Sequence, residues 1–171
     1  PRDSPDEIQR HTRIARRPRV QRRGDKMIRL SLPGDKEALI ELYKRCFEDG
    51  LETVSAVFKR VWRPFEALIF EENHRILSMV MLPRFFMKRT NTHAGYIYAL
   101  CTDPDCRGKG IMTKLLTAAH EHCEARGDGF TFLVPASESL FSLYSRFSYK
   151  PAIFVNKTTI PAALPFDKLR K

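Results

Sequence analysis

Residues 102–112 (TDPDCRGKGIM) constrain the fold most, because they join an apolar run to an amphipathic stretch through a turn with two glycines. Residues 96–100 (YIYAL) are aromatic and aliphatic, which predicts a buried strand. Over residues 110–126, apolar side chains recur at helical spacing on one face, which predicts one long helix. Gly108 and Gly110 therefore lie where a strand gives way to a helix.

The start of that helix suits a phosphate group. The first N–H groups of a helix have no intrahelical partner, and the macrodipole adds about half a positive charge at this end. A pyrophosphate is therefore stabilised there without a dedicated side chain. Arg107 and Lys109 add positive charge at the same turn.

Two other phosphate-binding motifs do not match the turn. A Walker loop needs a Gly where Asp103 stands and a Ser or Thr where Gly110 stands. A dinucleotide fingerprint needs a third Gly where Thr113 stands, and no second parallel βαβ unit with an acidic ribose ligand is evident. These mismatches argue against a nucleoside triphosphate and against a dinucleotide.

The turn instead resembles the acyl-CoA signature of the Gcn5-related N-acetyltransferase (GNAT) family, Arg/Gln-x-x-Gly-x-Gly/Ala. The positions that carry the resemblance are Arg107, Gly108, Lys109, Gly110, Ile111 and Met112. Met112 departs from the family's common form, which has Gly or Ala there. Residues 143–149 (LYSRFSY) resemble the family's Leu-Tyr-x-x-x-Gly-Phe segment, with Ser148 and Tyr149 in place of Gly-Phe. The resemblance spans residues 27–154.

The resemblance implies the family's fold class, α/β (α+β), with a mixed, mostly antiparallel sheet flanked by helices on both faces. It implies acetyl-CoA as the co-substrate, with residues 107–112 around its pyrophosphate. Backbone groups of Leu100, Cys101 and Thr102, at the end of the predicted strand, are expected to contact the pantetheine arm. The expected activity is acetyl transfer to an amine by direct attack.

Tyr144 has two interpretations. Its spacing places it on an apolar stripe with Leu140, Phe141 and Phe147, as expected for a core aromatic. The resemblance implies instead that Tyr144 lies near the thioester sulfur and protonates the departing thiolate as a general acid. We adopt the catalytic role as the expectation.

The base that takes the amine proton is not identified. Glu48, Glu52 and His93 are candidates by residue type, but each is typical of a surface position, and a water chain is equally allowed. Two histidines and a cysteine within residues 120–123 do not predict a metal site, because positions i and i+2 of a helix point to different sides. We therefore predict no metal ligand.

Hydrophobic periodicity predicts the element order βααβββαβαβ. Strands are expected at residues 27–32, 66–72, 76–86, 96–101, 130–135 and 149–156, and helices at 36–49, 51–62, 110–126 and 138–147. Asp35 and Ser137 are the expected N-caps of the first and last helices. A polar turn at residues 73–75 joins two strands in an antiparallel hairpin.

Charge divides the chain into regions. The net charge is +10, and residues 1–26 supply half of this excess, with nine Lys or Arg against four Asp or Glu. We interpret residues 1–26 as a basic flexible arm or a segment introduced by cloning, with Met27 as the natural start. Residues 27–160 then form the GNAT-like acetyltransferase domain, and residues 161–171 form a tail. Nucleic acid is a less favoured partner of the arm, because charge runs are usually solvated.

Several features favour a cytoplasmic protein with no membrane partner. No apolar run approaches the roughly 18 residues that span a bilayer, and the N-terminus lacks the apolar core of a secretory leader. The cysteines include no CxxC pair, which fits a reduced compartment. The chain ends on Leu-Arg-Lys, which leaves open a fragment of a longer protein. The multidomain enhanced-intracellular-survival type acetyltransferases, which this domain also resembles, are such proteins.

The acceptor is not determined by the sequence. Loops around residues 47–55 and 85–93 carry no recognisable signature, so a small amine, an antibiotic, a peptide amino terminus and a protein lysine all stay open. Tyr96 and Tyr98 share one strand face and could stack on an acceptor or pack beneath the second helix. The oligomeric state is open. An acyl-CoA-binding domain without acceptor chemistry and a nucleic-acid-binding module are the rival functions.

Overall fold

The computed structural model describes residues 26–152 of the 171-residue chain. The predicted tail, and the predicted arm except for Lys26, lie outside the described residues, so the domain boundaries stay predictions. After Val134 the described residues divide into two compact units. As far as its residues are described, the first unit contains two sheets and three α-helices, and the second contains one α-helix.

Four strands form an antiparallel sheet in the order β1, β2, β3, β6. They are β1 (Lys26–Leu30), β2 (Ala67–Glu72), β3 (Arg75–Met81) and β6 (Tyr98–Thr102). The predicted hairpin between β2 and β3 is confirmed, and its turn consists of Asn73 and His74, with φ angles of 51° and 61°. Two positive φ angles in succession give a type I′ turn, whose twist matches that of the strands.

Three further strands form a second sheet in the order β4, β5, β7. They are β4 (Arg84–Met87), β5 (Thr92–Tyr96) and β7 (Phe130–Phe132). β5 pairs antiparallel with β4 and parallel with β7, so this sheet is mixed.

Two strand predictions are corrected by this second sheet. The predicted strand 76–86 is two strands, because Pro83 has no N–H to continue the ladder and residues from Arg84 onward pair with β5 instead of β2. β5 was not predicted, because its sequence THAGY lacks the apolar alternation of a half-buried strand.

Helices cover both faces of the first sheet. They are α1 (Lys36–Cys46), α2 (Leu51–Arg60) and α3 (Ile111–Ala125). α1 and α2 pack on the face that presents Ile69 and Met79. α3 packs on β2, β3 and β6 through its buried stripe, which includes Leu115 and Ala119. Successive β2 residues are buried, as expected when both faces of a strand are covered.

The chain passes from one sheet to the other at Ile97, the one residue between β5 and β6. The Ile97 N–H donates to the Phe132 carbonyl (2.8 Å) of β7, whereas β6 pairs with β3 from Tyr98 onward. Ala99, with a φ angle of 50°, marks a bulge in the β3–β6 pairing. Among the described residues, no strand pairs with the edge of β6 that lies away from β3.

The second unit contains α4 (Ser139–Ser145). Its N-cap is Glu138 and not Ser137 as predicted, because the Ser137 hydroxyl bonds to the Ser139 hydroxyl (2.9 Å). The predicted last strand, 149–156, is wrong over residues 149–152, and its remaining residues lie outside the described part of the chain.

The chain turns back on α4 at the point where that strand was expected. Ser148 has a φ angle of 65°, and the Tyr149 N–H donates to the Tyr144 carbonyl (3.3 Å). This N–H is therefore used within the unit and does not extend a sheet.

Candidate active site

The turn between β6 and α3 holds its glycines in the left-handed region, with φ angles of +76° at Gly108 and +72° at Gly110. Residues with a side chain rarely adopt this conformation. A Cβ on either glycine would meet nothing within 4 Å, so both face open space. Gly110 is the N-cap of α3 and supplies no side-chain cap, which leaves the first N–H groups of the helix available. This is the geometry that an anion needs at a helix start.

Asp103 anchors the turn, although the sequence did not single it out for this role. Its buried carboxylate forms ion pairs with Arg45 of α1 (2.9 Å) and Arg75 of β3. It also accepts a hydrogen bond from the Asp105 N–H (3.1 Å). One carboxylate therefore ties the end of β6 to α1 and β3. The only local signal was an Asp at a strand end followed by Pro.

The residues of the predicted acyl-CoA signature come together at the start of α3. Arg107 and Lys109 are exposed, and the Arg107 Nε donates to the Thr102 carbonyl (3.2 Å). Ile111 is buried beneath the turn, and Met112 is half-buried in the first turn of the helix. Positive charge and unpaired N–H groups therefore share one small surface.

Leu100, Cys101 and Thr102 form the end of β6. Cys101 and Thr102 are buried, and Leu100 is half-buried. The Thr102 carbonyl is already engaged, because it accepts from Arg107 and from the Cys46 thiol (3.4 Å). A pantetheine arm would therefore use other backbone groups of this strand end.

A comparison with known protein families identifies the family of this chain. A family model described as an acetyltransferase (GNAT) domain matches residues 27–152, which is most of the chain. The chain belongs to the GNAT acetyltransferase family. This membership confirms the resemblance to the family and the enzyme class, an N-acetyltransferase. No curated protein sequence matches the chain.

Solved structures share the GNAT fold at low sequence identity. An aminoglycoside acetyltransferase from an uncultured soil metagenomic sample is 22% identical, with a TM-score of 0.61, over 81% of this chain and 99% of that chain. Glucosamine-6-phosphate N-acetyltransferase from Arabidopsis thaliana is 20% identical, with a TM-score of 0.58, over 80% and 99%. An aminoglycoside N-acetyltransferase in complex with CoA is 13% identical, with a TM-score of 0.62, over 82% and 99%. At these identities the likeness shows the fold alone, and it confirms the predicted fold class.

This GNAT domain carries two neighbouring cysteines behind the turn, Cys46 at the end of α1 and Cys101 in β6. A hydrogen bond from the Cys101 thiol, with the Arg107 guanidinium nearby, lowers the pKa of Cys46 to about 7 against the opposing effect of burial. The same contact, together with burial, raises the pKa of Cys101 well above its usual range. The sequence did not predict the pair, because the two residues are far apart along the chain.

A cavity of about 370 Å³ opens beside the start of β6. Arginine and aromatic side chains dominate its lining, and they are Arg60, Arg63, Arg84, Phe85, Tyr96 and Tyr98. The rings of Tyr96 and Tyr98 contact each other, with centroids 5.5 Å apart. Tyr98 also packs against the core that α1 and α2 cover, so it joins the cavity to the core. We call this space the arginine–aromatic cavity.

A second cavity, of about 360 Å³, is lined by paired charges. Arg29 forms ion pairs with Asp35 (2.7 Å) and Glu71 (2.7 Å), and Arg29 lowers the pKa of Asp35. Asp35 stands at the predicted N-cap position of α1, but its carboxylate accepts from the Leu32 N–H (2.6 Å) instead of capping the helix. These pairs give the second cavity a structural role.

Tyr144 lies on α4, in the second unit, and is half-buried. Its ring meets that of Tyr149 edge-on, with centroids 5.9 Å apart. Burial raises the pKa of Tyr144, which keeps its hydroxyl protonated at neutral pH as a proton donor requires. Its role as the general acid stays a prediction.

The candidate bases do not gain support from their surroundings. His93 lies in β5 with its ring 5.2 Å from that of Phe86, and Glu48 and Glu52 are exposed. The part of the chain that the structure describes holds no group of three or more His, Cys, Asp or Glu side chains able to bind a metal ion. Within residues 26–152, no helix is both long and apolar enough to cross a membrane.

Proposed function

We propose that this chain transfers the acetyl group of acetyl-CoA to the amine of a small molecule by direct attack of the amine on the thioester. The observation that carries the proposal is the uncapped start of α3, which follows a strand edge that no described strand covers. A helix start of this kind binds phosphate, and an open strand edge pairs with an extended chain. CoA carries a ligand group for each of these two features. Its pyrophosphate suits the helix start, and its pantetheine arm, with amide groups, suits the strand edge.

The donor site follows from these two features. Residues 107–112 hold the pyrophosphate, with backbone N–H groups at the helix start and positive charge from Arg107 and Lys109. Backbone groups at Leu100 and Cys101 accompany the pantetheine arm along β6. These assignments are supported by the exposure of the turn and by the open edge of the strand.

The reaction requires two proton transfers. At pH 7 an alkyl amine with a pKa of about 10.4 is neutral only about once in 2,500 molecules, so a base must take its proton. The amine nitrogen then bonds to the thioester carbon, the carbon–sulfur bond breaks, and the sulfur leaves as a thiolate. Tyr144 gives its hydroxyl proton to that thiolate, and the base is left unassigned.

A small-molecule amine is the acceptor class that we propose. The similar solved structures include enzymes named for aminoglycosides and for glucosamine-6-phosphate, both of which are small molecules with amino groups. This likeness favours a small acceptor over a peptide or protein amine, without selecting either compound. We also propose a cytoplasmic location, because all four cysteines are free. Kinship with the enhanced-intracellular-survival type rests on the resemblance alone.

Isothermal titration with acetyl-CoA tests the donor site. Wild type should bind, and Gly110→Glu should lose binding, because a carboxylate at the helix start competes with the pyrophosphate. Gly34→Glu is the matched control, since a Cβ at Gly34 also meets nothing within 4 Å. Melting curves check that each variant folds, because the positive φ angle at Gly110 disfavours any side chain. Absence of wild-type binding refutes the proposal, and binding without turnover on a broad amine panel leaves an acyl-CoA-binding domain.

The Tyr144→Phe variant tests the general acid. We expect kcat to fall about a hundredfold or more, with the affinity for acetyl-CoA unchanged. A fall of less than about threefold would make Tyr144 a packing residue, because a positioned acid contributes far more.

A further inference from the structure

The arginine–aromatic cavity lies where the acceptor has to approach, if the proposed function holds. The pyrophosphate site at residues 107–112 follows the C-terminal end of β6, and the covalent order of CoA runs from the pyrophosphate through pantetheine to sulfur. The pantetheine arm of CoA therefore runs back along β6 towards Tyr98, which begins the strand and lines the cavity. At about 370 Å³, the cavity is within the range of small-molecule sites.

Two cations of this cavity lack a carboxylate partner among the described residues. The Arg60 side chain has no hydrogen bond or ion pair with any of them. Within the described part of the chain, Arg63 donates only to backbone carbonyls, those of Trp62 (2.8 Å) and Lys59 (3.4 Å). Arg84, by contrast, is neutralised by Asp128 at 2.6 Å. Among the described residues of the lining, Glu66 is the one acidic residue, so they carry an excess of positive charge.

An aromatic wall completes the cavity. Tyr96 stacks on Phe132 with ring centroids 4.8 Å apart and an interplanar angle of 7°. Phe85 meets Tyr96 edge-on at 6.2 Å and leaves 47% of its surface exposed. The exposed Phe85 ring contacts both Tyr96 and Phe132, so it offers a rigid platform for a flat or apolar group of a ligand.

We propose that the arginine–aromatic cavity selects an amine acceptor that carries an aromatic or flat apolar body and an anionic group, a carboxylate or a phosphate. The anion is bound by Arg60 and Arg63, and the body packs on Phe85 and Tyr96. Polycationic acceptors are disfavoured, because their further ammonium groups meet the same guanidinium groups. This assignment rests on the proposed function, of which it names the substrate class.

A pair of matched amines measures the selection. The probes are para-(aminoethyl)benzoate and its carboxamide, which share the ring and the amine and differ in the anionic charge. We expect kcat/KM to be about tenfold higher for the carboxylate, since hydrogen bonds to charged groups outweigh neutral ones. The preference should decrease as salt is raised, because both guanidinium groups are exposed. Spermidine, the polycationic probe, should be the poorest acceptor.

Variants assign the preference to the two arginines. Arg60→Gln/Arg63→Gln should reduce the ratio between carboxylate and carboxamide to about one, with little change for the carboxamide. Lys59→Gln is the control, because it removes an exposed cation that neighbours Arg60 in α2 but does not line the cavity. It should keep the wild-type ratio. Equal kcat/KM for both amines, or a preference that survives in the double variant, overturns the assignment.

Binding measurements separate this inference from the proposed function. The dead-end analogues para-ethylbenzoate and para-ethylbenzamide carry no amine, so their affinity for the protein can be measured without turnover. Tighter binding of the benzoate, lost in Arg60→Gln/Arg63→Gln, supports the cavity assignment even if acetyl-CoA does not bind. Normal acetyl-CoA binding with equal affinity for the two analogues refutes the assignment and leaves the proposed function intact.

Discussion

At the scale of single residues, Cys46 is predicted to be an unusually reactive thiol. The contacts from Cys101 and Arg107 lower the pKa of Cys46 to about 7, so its thiolate fraction rises as the pH passes through about 7. Alkylation with iodoacetamide, followed by peptide mass spectrometry, should show a half-maximal rate near that pH. The urea-unfolded chain should titrate near the ordinary cysteine value instead, because both contacts are lost.

The Arg107→Gln variant controls for the cause of this shift. Removing the guanidinium should raise the pKa of Cys46 and slow its alkylation at neutral pH. A folded wild type in which Cys46 reacts with an ordinary cysteine pH profile would contradict the contact with Cys101.

Gly95 in β5 is predicted to be a position where even a small side chain destabilises the fold. A Cβ at this position would lie 2.7 Å from the Cys123 Sγ and 3.1 Å from the Asp128 Oδ2. Gly95→Ala should therefore lower the free energy of unfolding by about 1–3 kcal/mol, the usual range for overpacking. Urea unfolding measures this loss, and Gly34→Ala, where a Cβ meets nothing within 4 Å, should change little. Adding Cys123→Ala should restore part of the loss if crowding is the cause.

At the scale of elements, the Asp103 carboxylate should control both stability and the position of the turn. Asp103→Asn keeps the side-chain volume but removes the anion that pairs with Arg45 and Arg75. Both arginine side chains are partly exposed and can be rehydrated, so we expect a loss of about 1–2 kcal/mol in unfolding free energy, less than for a fully buried pair. Acetyl-CoA should also bind more weakly, because the turn that leads into α3 loses its ion pairs with α1 and β3.

Asp105→Asn is the matched control for this prediction. The Asp105 side chain is 75% exposed and pairs with Arg45 on the surface, so its loss should cost less than about 1 kcal/mol. If the two variants unfold alike and bind acetyl-CoA equally, Asp103 is not an anchor.

The same elements show what the sequence can and cannot predict. The first three helices were found within a few residues of their ends, because each buries one stripe and the pattern is local. β5 was missed because its place depends on parallel pairing with β7, which lies beyond α3 in the sequence. The glycine turn was likewise visible as a contiguous motif. The contacts of Asp103 with Arg45 and Arg75, and of Cys46 with Cys101, could not be predicted, because the residues in each contact are distant in sequence.

At the scale of the whole molecule, the distribution of charge separates the enzyme from its nucleic-acid-binding rival. Half of the +10 net charge lies in residues 1–26, whereas the proposed donor site is built from β6 and the start of α3. A ligand that binds only the folded chain stabilises it by about 2.7 kcal/mol at a hundredfold excess over Kd. Saturating acetyl-CoA should therefore raise the Tm of the full chain and of a chain shortened to residues 27–171 by the same amount.

Duplex DNA should behave in the opposite way. If DNA binds through the basic arm, as the nucleic-acid-binding rival requires, its binding should fall steeply with salt and disappear when the arm is removed. Differential scanning fluorimetry of the two chains, each with acetyl-CoA and with DNA, therefore gives four melting shifts. A loss of the acetyl-CoA shift on truncation would make the arm part of the donor site, and a DNA shift that survives truncation would place nucleic-acid binding on the folded domain.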